Sequence, residues 1–156
     1  MALSSVKPIP EGMHSLTPHL VCAGAADAIE FYKSVLGAGE RMRMPGPDGK
    51  VGHAELDLGN SVIMLADEHP EMNAAGPKRV GGTPVSLHVY VEDADAVFAR
   101  ALDAGAKELQ PLEDKFYGDR GGSFEDPFGH HWNVATHVED VSEEEMSRRA
   151  AEVMGG

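Results

Sequence analysis

Histidine carries most of the chemistry open to this chain. His19 and His88 occupy matching places in two similar stretches, Thr17-Pro18-His19-Leu20-Val21-Cys22 and Ser86-Leu87-His88-Val89-Tyr90-Val91, at an offset of 69 residues. His53 and Glu55 are two residues apart, so on a strand they share one face. An imidazole beside a carboxylate holds one tautomer and suits general acid–base work. His131 and Asn133 have the same spacing nearer the C-terminus, Tyr117 sits in a glycine-flanked stretch of the kind that often binds ligands, and Met64 offers an adaptable thioether. Each has a plainer alternative. His19 and His88 can bond neighbouring backbone, His53 and Glu55 can be an exposed strand face, and Met64 can be core. His131 can belong to the turn before it, and Tyr117 can plug the sheet. Asp119 and Arg120 read as an ion pair that orders a loop, and Cys22 as a buried structural thiol.

Two copies of one pattern must position these groups. The first runs as a strand over 16–22, a helix over 27–36 capped by Gly37, and strands over 40–44, 53–58 and 61–66. In the second, a strand over 85–91 precedes a helix over 94–104 capped by Gly105. A strand over 107–112 follows, then a loop or irregular hairpin over 114–122, a strand over 123–126 and a last strand over 131–137. The spacing Ser142…Glu145 predicts a capped terminal helix that docks on the protein or on a second copy. The reading is a flexible arm over 1–14, one domain over 15–138 and a helical tail over 139–156. Within the domain, module one spans 15–67, a linker 68–84 and module two 85–138. The doubling predicts a site built between the copies.

Composition narrows the partners. Thirteen basic against twenty-six acidic residues leave a formal charge of −13, which disfavours nucleic acid and anionic membranes. A single cysteine excludes an internal disulfide framework and fits a reducing compartment. With no apolar run of spanning length or leader pattern, the expected location is the cytoplasm.

The doubled unit, with Asp126-Pro127-Phe128-Gly129-His130-His131-Trp132 before the last strand, resembles the vicinal oxygen chelate superfamily of glyoxalases, bleomycin-resistance proteins and extradiol dioxygenases. The runs Ile29-Glu30-Phe31-Tyr32, His53-Ala54-Glu55-Leu56, Gly81-Gly82-Thr83-Pro84-Val85-Ser86-Leu87-His88 and Phe116-Tyr117-Gly118-Asp119-Arg120 resemble its PhnB-like subgroup. The resemblance implies an α+β fold of two βαβββ modules in tandem, forming a curved mixed sheet with a concave pocket, plus the C-terminal helix. It also implies four metal-ligand positions, which here read Thr17, Met64, Ser86 and Asn133, a poor set for a divalent ion. His19, His88 and His131 stand two residues from three of them.

The expected function is therefore a small-molecule binding protein of the glyoxalase/bleomycin-resistance type, without metal or other cofactor. His19, Met64, Ser86, His88, Tyr117, His131 and Asn133 would contact the ligand. The alternative is a metal-dependent lyase, isomerase or dioxygenase using displaced His and Glu ligands. A third possibility is cofactor-free catalysis by His53 and Glu55. Relatives in the family lead to the expectation of a homodimer.

Overall fold

A computed structural model describes residues 5–155, so part of the arm expected over 1–14 lies outside the described residues. Two compact units meet between Arg79 and Val80, inside the expected linker. Each is a four-stranded mixed sheet covered on one face by a helix.

The first unit comprises β1 (His19–Cys22), α1 (Ala25–Leu36), β2 (Gly39–Pro45), β3 (Val51–Leu58) and β4 (Ser61–Asp67), and the short α2 (Pro77–Val80) spans the boundary. Its sheet order is β1-β4-β3-β2, with β1 and β4 parallel and the other pairs antiparallel. The second contains β5 (Ser86–Tyr90), α3 (Ala94–Asp103), β6 (Lys107–Asp114), β7 (Asp119–Glu125), β8 (His131–His137) and the terminal α4 (Glu143–Met154). Its order, β5-β8-β7-β6, repeats the first, with β5 and β8 parallel. No helix among the described residues is long and apolar enough to cross a membrane.

Alternation decides which side chains meet the helix. Leu20, Leu65, Ala54 and Leu56 are buried toward α1, whose Ala28, Ile29, Tyr32 and Val35 recur at helical spacing and are also buried. Each large side chain so covered contributes about 1.5–3 kcal/mol. In the second unit Phe124 and Trp132 fill the same layer, with Phe98 of α3 at 6.4 Å from the Phe124 ring. The end of the last strand ties down the start of each helix. Asp67 Oδ1 accepts from the backbone N–H groups of Gly24 and Ala25 at 3.0 and 2.9 Å. At the matching place Thr136 Oγ1 accepts from Ala94 N–H at 2.9 Å and donates to the Val91 carbonyl at 2.8 Å.

The loop expected over 114–122 is shorter than its composition suggests, because β7 already begins at Asp119. Gly121 and Gly122 lie inside that strand, where glycine usually signals a break. Their neighbours leave no room for a side chain: a Cβ at Gly121 would come within 2.7 Å of the Val134 carbonyl, and one at Gly122 within 3.0 Å of that of Gln110. The terminal helix starts at Glu143, with Ser142 Oγ accepting from Glu145 N–H. Within the chain its contacts are polar. Val153 and Met154 are exposed, and the helix is held by Arg149, which bonds the Phe116 carbonyl at 3.1 Å and pairs with Glu139.

The turn between β7 and β8 rests on one buried side chain. Asp126, 2% exposed, accepts from the backbone N–H of Phe128 and His130 and from Trp132 Nε1–H. Replacing it with alanine takes the acceptor from three donors, among them the buried Trp132 Nε1–H, so Asp126→Ala is expected to cost about 3–5 kcal/mol in urea unfolding. A loss below about 1 kcal/mol would show that solvent replaces these bonds.

Candidate functional site

The sheet faces turned away from the helices carry the polar residues, and register sets them in rows. On the first unit, His19 pairs with Met64, Met64 with Glu55 and Glu55 with Met42, crossing all four strands. On the second, the corresponding row is His88, Asn133, Ser123 and Gln110. The spacing from His19 to Met64 equals that from His88 to Asn133, so the histidines, not Thr17 and Ser86, stand beside the last-strand positions. Thr17 precedes β1, and its neighbour Pro18 accepts from Met64 N–H at 2.9 Å. Ser86 lies opposite His131.

On the same face of β3, His53 and Glu55 form a half-buried pair, Nε2 to Oε2 at 3.1 Å. If Nε2 carries the proton, Nδ1 is left as an acceptor, the arrangement a general base requires. The His19 ring stacks on that of His53, with centroids 5.9 Å apart and planes 28° from parallel. Partial burial of the imidazole, and then repulsion from His53, push the His19 pKa below its ordinary value.

The second unit carries a half-open pocket of about 370 Å³. Ser86, His88, Ser123 and Asn133 line one side of it, and Lys115, Tyr117 and Asp119 come from the β6–β7 turn and the start of β7. Polar contacts hold the wall in place. Ser123 Oγ–H donates to Asn133 Oδ1 at 2.6 Å, and Asn133 Nδ2 donates to Ser86 Oγ at 3.4 Å. Tyr117 is positioned by its neighbour Gly118, whose carbonyl accepts from Val138 and Glu139 N–H. Gly118 has φ +98°, and a Cβ there would come within 2.1 Å of the Glu139 carbonyl. His131 shares the polar face but lies outside the pocket lining, with Nε2 3.0 Å from Glu125 Oε1.

Asp119, Tyr90 and His137 form a cluster that sequence reasoning missed. The ion pair expected between Asp119 and Arg120 does not form, because adjacent strand residues point to opposite faces. Arg120 instead pairs with Asp95 and Asp114. Asp119 is 3% exposed; its Oδ2 accepts from the Tyr90 hydroxyl at 2.7 Å and its Oδ1 lies 2.8 Å from His137 Nδ1. The other His137 nitrogen meets Asp140 Oδ1 at 2.8 Å. The alternation of Tyr90 with His88, and of Asp119 with Ser123, was the available signal.

Among the described residues, no three His, Cys, Asp or Glu side chains are placed to share a metal ion. The first row offers one imidazole, His19, two thioethers and the carboxylate of Glu55, which His53 engages. The second offers one imidazole among neutral amides and hydroxyls.

The carboxylates around His137, Asp119 foremost and then Asp140, raise its pKa above the ordinary value. Its proton is then bound more tightly in the folded than in the unfolded chain. The resulting stabilisation is complete below the unfolded value near 6.5 and is lost as pH rises through the folded value. In an NMR titration His137 is expected to show a midpoint above 6.5, lowered more by Asp119→Asn than by Asp140→Asn. A midpoint at or below the model-peptide value would show that the bridge does not persist in solution.

Comparison with known proteins agrees with this architecture. The model of the Glyoxalase/Bleomycin resistance protein/Dioxygenase superfamily matches residues 13–134. A protein of Mycobacterium bovis is 47% identical over 135 residues, covering 85% of this chain and 89% of that protein. The crystal structure of TioX from Micromonospora sp. ML1 aligns with a TM-score of 0.63 at 30% identity, over 80% of this chain and 99% of TioX. The PhnB protein from Bacillus cereus aligns with a TM-score of 0.63 over 79% of this chain and 99% of its own, at 22% identity, a likeness of fold. The chain belongs to the Glyoxalase/Bleomycin resistance protein/Dioxygenase superfamily.

Proposed function

We propose that this protein binds a small organic molecule in the pocket of its second unit, and that the site works without a metal ion. The observation that carries this reading is the make-up of the pocket wall. Asn133, Ser86 and Ser123 are neutral, bonded to one another and aimed into a space of about 370 Å³, a volume suited to a small ligand. His88 and Tyr117 add ring surface at the same pocket.

The donor set does not fit the divalent ion that the superfamily implies. Divalent sites of this kind draw on imidazole and carboxylate together, and hydroxyls and amides substitute poorly. Among the residues lining the pocket, the single imidazole is His88. The one carboxylate of the wall, Asp119, is already engaged by Tyr90 and His137.

Two measurements test the reading. Elemental analysis of protein purified without added metal is expected to show no stoichiometric ion, and chelator is expected to leave Tm unchanged. A resident ion at a thousandfold its Kd would add about 4 kcal/mol, roughly 8–16 °C in Tm for a domain of this size. Stoichiometric metal with a chelator shift of that order would overturn the proposal.

A screen of small molecules by thermal shift, followed by calorimetry, supplies the second. His88→Ala is expected to weaken binding of a hit about tenfold while moving stability by less than about 1 kcal/mol, because His88 is exposed. Unchanged affinity with a large loss of stability would assign His88 to the fold.

A further inference from the structure

We infer that Asn133 sets the specificity of this pocket, and that the ligand meets it with an uncharged carboxamide or lactam edge. The inference rests on the binding role proposed above and names the chemistry of its ligand. Asn133 stands in the middle of the row, between His88 on β5 and Ser123 on β7. A side-chain amide has two N–H donors and two oxygen lone pairs. The short contact from Ser123, itself 8% exposed, decides which end is oxygen. At 2.6 Å it has the length of an O–H···O bond and is short for N–H···O, so the end facing Ser123 is Oδ1 and the serine donates. The opposite end then donates to Ser86 Oγ. These two contacts leave one N–H and one lone pair of the Asn133 amide for a ligand.

A donor beside an acceptor is self-complementary. A carboxamide or lactam offers C=O next to N–H and satisfies both, as asparagine satisfies an adenine edge with two parallel bonds. A carboxylate would set its lone pairs against Oδ1, and an amidinium would set its hydrogens against Nδ2. The charged groups lining the pocket are already partnered: Lys115 with Glu113 at 2.7 Å, and Asp119 with Tyr90 and His137. These pairings remove the main attraction for a charged ligand. Tyr117, 37% exposed, and His88 leave ring surface for the apolar body of the molecule.

Benzamide, benzoate and benzamidine have the same size and shape and differ in this edge alone, so NMR titration of the full chain with all three is the test. Benzamide is expected to bind on the order of tenfold more tightly than either charged analogue, shifting the amide signals of Ser86, Ser123 and Asn133. Asn133→Asp leaves only acceptors and is expected to transfer the preference to benzamidine. Should that variant unfold, Ser86→Ala, at an exposed position, removes one restraint on the amide and is expected to shrink the preference for benzamide. Equal binding of the three, or tightest binding of benzoate, overturns the inference. If the pocket signals ignore all three but respond to other library compounds, the inference falls and the binding role stands. If they respond to nothing, both fall.

Discussion

Parallel pairing of the first and last strand of each copy is the constraint on which the rest depends. It aligns His19 with Met64 and His88 with Asn133 at the same spacing, and the antiparallel strands beyond extend each pair into a row across the sheet. A slip of one residue would turn every member of a row toward the helix and expose the layer that contains Leu65 or Trp132. The packing of α1 and α3 therefore enforces the geometry of the polar face. Asp67 and Thr136 link the two directly, since each sits on the last strand and bonds the backbone that starts the helix.

On this shared scaffold the two copies have diverged in what they present. The first unit carries stacked imidazoles and a histidine–carboxylate pair, with thioethers on either side of Glu55. In the second, His88 keeps its place, but its row continues through an amide, a hydroxyl and a second amide. The first set can move protons; the second can read hydrogen-bonding pattern. That difference follows from side-chain chemistry at matched positions, with the backbone held nearly constant.

Buried carboxylates do much of the positioning in the second unit. Asp126 organises the turn before β8, and Asp119 joins the pocket wall to Tyr90 and His137. Each is tolerated in the interior because its oxygens have hydrogen-bonding partners there. The segment after β8 braces the turn between β6 and β7. Val138 and Glu139 bond the Gly118 carbonyl, and Arg149 of α4 bonds that of Phe116, so the tail holds the turn that carries Tyr117.

The doubled βαβββ order, the helices with their glycine ends and the period-two placement of His53 with Glu55 are legible in the residues alone, because they follow from local spacing and chain stereochemistry. The sequence motifs also sufficed to reveal the superfamily. That β7 starts at Asp119 emerges with the folded chain, since Gly121 and Gly122 look like loop residues until the close approach of the Val134 and Gln110 carbonyls is seen. Register, a long-range property, decided that the histidines rather than Thr17 and Ser86 align with Met64 and Asn133. Long-range contact likewise separated His131, paired with Glu125, from the pocket and joined Tyr90, Asp119 and His137 into one cluster. Local spacing shows which face a residue takes, but its partner across the sheet depends on strand order and register, which short-range sequence does not contain.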